Sequence, residues 1–199
     1  DFLSMLGFII AVNWFCLTLV WLMSLKIKDV GIVDIYWGIG FVIMAWACLL
    51  FNLQGNTSAI SQSQWLINIM VTLWGLRLSF HLAARNLGKE EDYRYAAMRK
   101  KSAGDFRIQS YFRVFMLQGF LQILVITPVL AIHYYPSEFG LSIFHYLGLA
   151  LWAIGFFYET AADIQLVNFR SDPSNHKKVL NSGLWRFSRH PNYFGDALQ

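Results

Sequence analysis

Five stretches of this chain stay apolar for twenty residues or more, and they decide what it can fold into. They cover residues 2–25, 30–53, 65–85, 111–134 and 141–169. A helix rises 1.5 Å per residue, so about 20 apolar residues cross a ~30 Å hydrocarbon core. A water-soluble globule would have to hide all five runs at once. Hydrophobic residues make up 56% of the chain and charged ones only 14%, against about 25% in an average soluble domain. That composition excludes a disordered chain. Cys16 and Cys48 lie inside apolar runs, which excludes a disulfide scaffold. The expected fold is all-α: a polytopic transmembrane helical bundle with five complete spans, forming a single membrane domain over residues 1–199. A sixth span is expected to begin near Pro191. The first run has no basic region before it and no small-residue cleavage site after it, so it reads as a membrane helix rather than a signal peptide. The chain starts at Asp1 and stops at Gln199 inside an apparent motif, so a C-terminally incomplete fragment is expected.

Positive charge predicts the orientation. Lys26 and Lys28 separate the first two runs. Arg85, Lys89, Arg94, Arg99, Lys100, Lys101, Arg107 and Arg113 surround the third connection, and Arg170, Lys177, Lys178, Arg186 and Arg189 follow the fifth run. The connections at 52–64 and 136–140 carry no Lys or Arg. Basic residues thus occupy alternate loops, which places the N-terminus outside and the basic loops in the cytoplasm. A bacterial inner membrane is the expected location. The net charge of +4 follows from this topology and gives no support to nucleic-acid binding.

Ionisable side chains inside spans are costly and usually face a protein interior or a wet cavity. Asp34 lies in the second run. Arg77 and His81 are four residues apart on the third, and Glu159 and Asp163 are four apart on the fifth, so each pair shares a helix face. All fall in the basic half of their spans, which predicts a polar cavity open to the cytosol. The rival reading is ion pairing of Arg77 with Asp34 or Asp163 for bundle stability. Gln118 and Gln122 read as interhelical hydrogen-bonding amides. His133 and His145 fall near the outer surface with no chemical task, and His176 reads as solvated. The segment 88–107 reads as a polar loop with a short helix, Tyr93, Tyr95 and Arg99 forming part of a solvated charged face. No metal site is expected, because the His and Cys residues lack ligand spacing.

The segment 170–191 carries turn signals at Asp172-Pro173 and Asn181-Ser182-Gly183. Trp185, Arg186, Ser188, Arg189, His190, Pro191, Asn192 and Tyr193 follow. Basic and amide groups just before a proline-initiated helix sit at the positive end of its dipole, a sensible cradle for phosphates. Neither common glycine-rich phosphate loop is present.

The run from Gly183 to Asp196, with its Arg189-His190-Pro191-Asn192-Tyr193 core, resembles the signature of the steroid 5-alpha-reductase superfamily. Asp34-Ile-Tyr-Trp-Gly38, Leu73-Trp-Gly-Leu-Arg77 and Glu159-Thr-Ala-Ala-Asp163 with Phe169-Arg170 resemble its bacterial branch. The core also resembles membrane methyltransferases of the isoprenylcysteine and phospholipid type, which use S-adenosylmethionine. The reductase resemblance implies a seven-helix fold holding NADPH from the cytosolic side. It implies cofactor contacts from Asp163, Arg170, Asn192, Tyr193 and Asp196, with phosphate contacts from Arg186, Arg189 and His190. The implied reaction reduces a carbon–carbon double bond conjugated to a carbonyl in a hydrophobic, lipid or steroid-like substrate. Asp34, kept protonated by burial, is the expected acid. Steroid reductases pair a Glu on helix two with a Tyr on helix three; the third run here has no Tyr, so Tyr36 or His81 is the expected substitute.

Overall fold

The computed structural model describes residues 1–55, 60–136 and 140–199. Parts of the two connections without Lys or Arg, at 52–64 and 136–140, therefore lie outside the described residues. Among the described residues the chain is helical and contains no strand, and five helices are long and apolar enough to cross a membrane. Two compact units divide it, Asp1–Gly140 and Leu141–Gln199.

The first unit starts with α1 (Phe2–Ile27), capped by Asp1, whose carboxylate accepts from the Ser4 amide at 2.7 Å. It stops at Lys28 in the left-handed region (φ 60°). Next come α2 (Ile32–Gly55) and α3 (Gln62–Asn86), the latter opened by a capping box between Ser61 and Gln64. α2 and α3 cross on glycines. A Cβ on Gly38 would collide with the Gly75 carbonyl and stand 2.8 Å from the Ser79 hydroxyl, to which the Ile39 amide donates at 3.0 Å. Small residues of this kind let membrane helices approach backbone to backbone. α4 (Tyr93–Lys101) is a short helix between spans.

The fourth apolar run is not the continuous helix predicted over 111–134. It comprises α5 (Phe106–Ser110), a π-helical turn (Tyr111–Met116), α6 (Leu117–Val125) and α7 (Thr127–Tyr134). Pro128 lacks an N–H and its ring crowds the carbonyl four residues back, which breaks the helix. The Thr127 hydroxyl donates to that carbonyl, on Leu124, at 2.8 Å, so the freed acceptor stays satisfied. α6 packs through polar contacts as predicted for Gln122, whose Nε2 donates to the Trp37 carbonyl at 3.1 Å over Gly40. Asn13 of α1 donates to the Gly119 carbonyl at 3.1 Å.

His133, expected near the outer surface without a chemical task, has a structural one at that end of the helices. It is buried, its Nε2 lies 2.9 Å from Asn68 Oδ1, and its carbonyl accepts from Asn52 and Gln64 at 2.9 and 3.1 Å. A buried imidazole needs hydrogen-bond partners, so amides from α2 and α3 satisfy it and tie α7 to both.

The second unit consists of α8 (Ile143–Ser171), two 3-10 turns (Pro173–Asn175 and Gly183–Arg186) and α9 (Pro191–Leu198). α8 opens with a capping box between Ser142 and His145, which gives that imidazole a structural task. α9 starts at Pro191, where a sixth span was predicted to begin. α8 and α9 meet on Gly155 and Gly195: a Cβ on Gly155 would come 2.7 Å from the Gly195 carbonyl.

Candidate functional site

Two polar constellations stand out, one in each unit. The first surrounds Asp34, in the first turn of α2. Asp92 caps α4 by accepting from the Arg94 amide at 2.9 Å, and this sets the phase of the helix. Tyr95 then faces α2 and is only 6% exposed. Its hydroxyl donates to Asp34 Oδ1 at 2.7 Å, and Arg94 Nη2 donates to Asp34 Oδ2 at 2.8 Å. Arg94 also donates to both Asp92 oxygens, at 3.0 and 3.2 Å. One turn away, Glu91 accepts from the Val30 amide at 3.0 Å and from Arg99 at 2.8 Å, while Arg99 lies 4.5 Å over the Phe106 ring.

These contacts correct three expectations. Asp34 accepts from a guanidinium on one oxygen and a phenol on the other, so it stands as an acceptor and not as the expected donor to a carbonyl. Tyr36 does not join it: two residues along a helix is about 200°, so Tyr36 packs in the same buried cluster as Tyr95 but with its ring against Gly40 and no hydrogen bond to Asp34. The segment 88–107 is no merely solvated face, since Tyr95 is buried and Glu91 and Arg99 clamp the start of α2. His81 and Arg77 sit half-buried on α3, and neither is without partners. The phenol missed at sequence level is Tyr95. Its signal was the four-residue spacing of Tyr95 and Arg99, which puts the two on one face of α4.

The electrostatics follow from these neighbours. Burial, and then the hydrogen bond to Asp34, push the Tyr95 phenol above the usual tyrosine range. The Arg94 side chain holds the Asp92 carboxyl below the usual aspartate range, and Asp92 in turn raises Arg94, which stays charged. Arg94 is 52% exposed, so water screens the pair and its energetic worth is small; its contribution is geometric.

The second constellation is a groove of about 980 Å³ in the Leu141–Gln199 unit. Arg170, Lys177, Lys178, Arg186, Arg189 and the imidazoles of His176 and His190 line it. Asp172 is the one carboxylate in the lining, and it accepts from the Ser174 amide at 2.8 Å. The loop is a fixed structure. Asn175 donates to the Phe169 carbonyl at 3.1 Å, Trp185 Nε1 to the Ala162 carbonyl at 3.0 Å, and the Leu184 amide to Gln165 at 3.0 Å. Gly183, at φ 60°, leans on Gln165 where a Cβ would not fit.

Of the eight predicted cofactor residues, the groove gathers Arg170, Arg186, Arg189 and His190. Tyr193 stacks on His190 with ring centroids 5.0 Å apart. Asn192 donates to the buried Asp163 at 3.1 Å, so these two join α9 to α8. Gln199 does the same for Glu159 at 2.8 Å. Asp196 is on an exposed part of α9. Lys177, Lys178 and His176 were not assigned to the site from sequence; the Lys-Lys pair just after a proline turn was the available signal. Among the described residues, no group of three His, Cys, Asp or Glu is placed to hold a metal ion.

No curated protein and no solved structure matches the chain. A family model does, across residues 20–199, which include both the Asp34 constellation and the groove. The chain belongs to that family, described as protein of unknown function (DUF1295).

Proposed function

We propose that the chain is an NADPH-dependent membrane reductase of the steroid 5-alpha-reductase type. It acts on a carbon–carbon double bond conjugated to a carbonyl in a lipid or steroid-like substrate. The observation that carries this reading is the cation-lined groove, which falls in the segment bearing the family resemblance. Five Lys and Arg side chains with one carboxylate suit a ligand rich in phosphate, and the volume is of the size that takes a dinucleotide-class ligand. In this reading the basic loops face the cytosol, the side from which a soluble cofactor reaches a protein of a bacterial inner membrane.

When bound, NADPH supplies a hydride to the carbon beta to the carbonyl. Arg170, Arg186 and Arg189 hold its phosphates, and the His190–Tyr193 stack offers a flat face to a ring. Within the first unit, the Tyr95 hydroxyl held by Asp34 is a donor of the kind that stabilises an enolate oxygen. Asp34 anchors the phenol, Arg94 fixes Asp34, and solvent protonates the alpha carbon.

The test is a titration of the protein in detergent with NADPH and S-adenosylmethionine side by side, reading thermal stabilisation. A shift with NADPH is expected. A shift with S-adenosylmethionine alone would replace the reductase by a methyltransferase, although its sulfonium is poorly suited to a cationic groove. With turnover in hand, Tyr95→Phe lowers kcat about 100-fold while NADPH affinity holds; an unchanged kcat removes Tyr95 from the reaction.

A further inference from the structure

The cations of the groove come from separate stretches of chain. Arg186, Arg189 and His190 belong to the segment that leads into α9, whereas His176, Lys177 and Lys178 belong to the loop after α8. The two groups differ in kind. Arginine forks match the paired oxygens of a phosphodiester or pyrophosphate, while lysines act as compact point charges. The lysine loop is also built with some strain. Lys177 takes φ 63°, a left-handed backbone that a side chain rarely adopts and that glycine adopts freely. The turn is closed by the Lys178 amide, which donates to the Asn175 carbonyl at 2.9 Å, and Asn175 is itself tied to the end of α8. A glycine would serve this turn better, yet a lysine stands there with its side chain in the groove lining.

We infer that Lys177 and Lys178 form a subsite for a phosphate monoester, the 2′-phosphate that distinguishes NADPH from NADH, while the arginines take the pyrophosphate common to both. This inference rests on the proposed cofactor. A monoester carries a charge of about −2 near pH 7 and has three acceptor oxygens, which two adjacent ammonium groups complement. The pair therefore selects between the two cofactors and contributes little to binding either one in common.

The experiment measures NADPH and NADH affinity by equilibrium titration of the detergent-solubilised protein, in the parent, Lys177→Ala/Lys178→Ala, Lys177→Arg/Lys178→Arg and Lys177→Gly. The double alanine variant is expected to weaken NADPH about tenfold or more and leave NADH unchanged, collapsing the preference. The double arginine variant retains it. Lys177→Gly raises the melting temperature, because the turn loses its strain, yet lowers the preference for NADPH, which a purely structural lysine would not do. Equal losses for NADPH and NADH, or an intact preference in the double alanine variant, overturn the subsite and leave the cofactor reading standing. Binding of neither cofactor to the parent overturns both.

Discussion

The two units handle charge in opposite ways. In Asp1–Gly140, polar groups near α2 are consumed by one another: Asp34 by Arg94 and Tyr95, Glu91 by Arg99 and a backbone amide. In Leu141–Gln199, the buried acids Glu159 and Asp163 are joined to α9 amides, while five Lys and Arg side chains line a groove with a single carboxylate. A paired network fixes a geometry, and that is what orienting a reacting group needs. A cation-rich groove stores unmet attraction, and that is what recruiting an anionic ligand needs. The contrast assigns positioning to one unit and capture to the other.

The contrast is most severely broken through the backbone. Gly38→Leu forces the α2–α3 crossing apart and is expected to cost about 3 kcal/mol or more of stability. Gly7→Leu, where a Cβ meets nothing within 4 Å, is the control and should change the melting temperature little. Equal melting temperatures would show that the crossing has slack. A smaller effect sharpens the capture side. Arg186→Ala and Arg189→Ala should each weaken NADPH about tenfold and leave the ligand-free melting temperature unchanged, since both are exposed. Destabilisation without ligand would make them structural instead. The smallest effect is a pH signature of the positioning side. The folded phenol of Tyr95 lies above its unfolded value near 10, so its contribution is complete below pH 10 and is lost as the pH rises through the folded value. Melting curves should therefore fall off in strong alkali, and Tyr95→Phe should remove part of that decline.

Much of this was legible in the chain. The five spans announce themselves by length and hydropathy, and α9 starts at the proline that predicted it. The groove arginines were readable because they precede a proline-initiated helix. Other features depend on tertiary neighbours that no local pattern carries. Tyr36 stood in for the tyrosine missing from the third run, but helical phase turns it from Asp34, whose partners arrive sixty residues later. The break at Pro128 was foreseeable from proline chemistry; the π turn before it has no such marker. The structural task of His133 was not legible because it depends on amides contributed by α2 and α3.

The π turn at Tyr111–Met116 has a consequence for how such chains tolerate insertions and deletions. It houses one residue more than an α-helix would over the same rise. Deleting a single residue there restores regular winding and leaves the turns downstream on the faces they now occupy. Gly119 and Gln122 would then keep the α1 and α2 contacts they now make, each one position earlier in the chain. Relatives differing by one residue in this stretch must therefore carry their small and amide residues at shifted positions, so the helix face, and not the residue number, is the unit to compare.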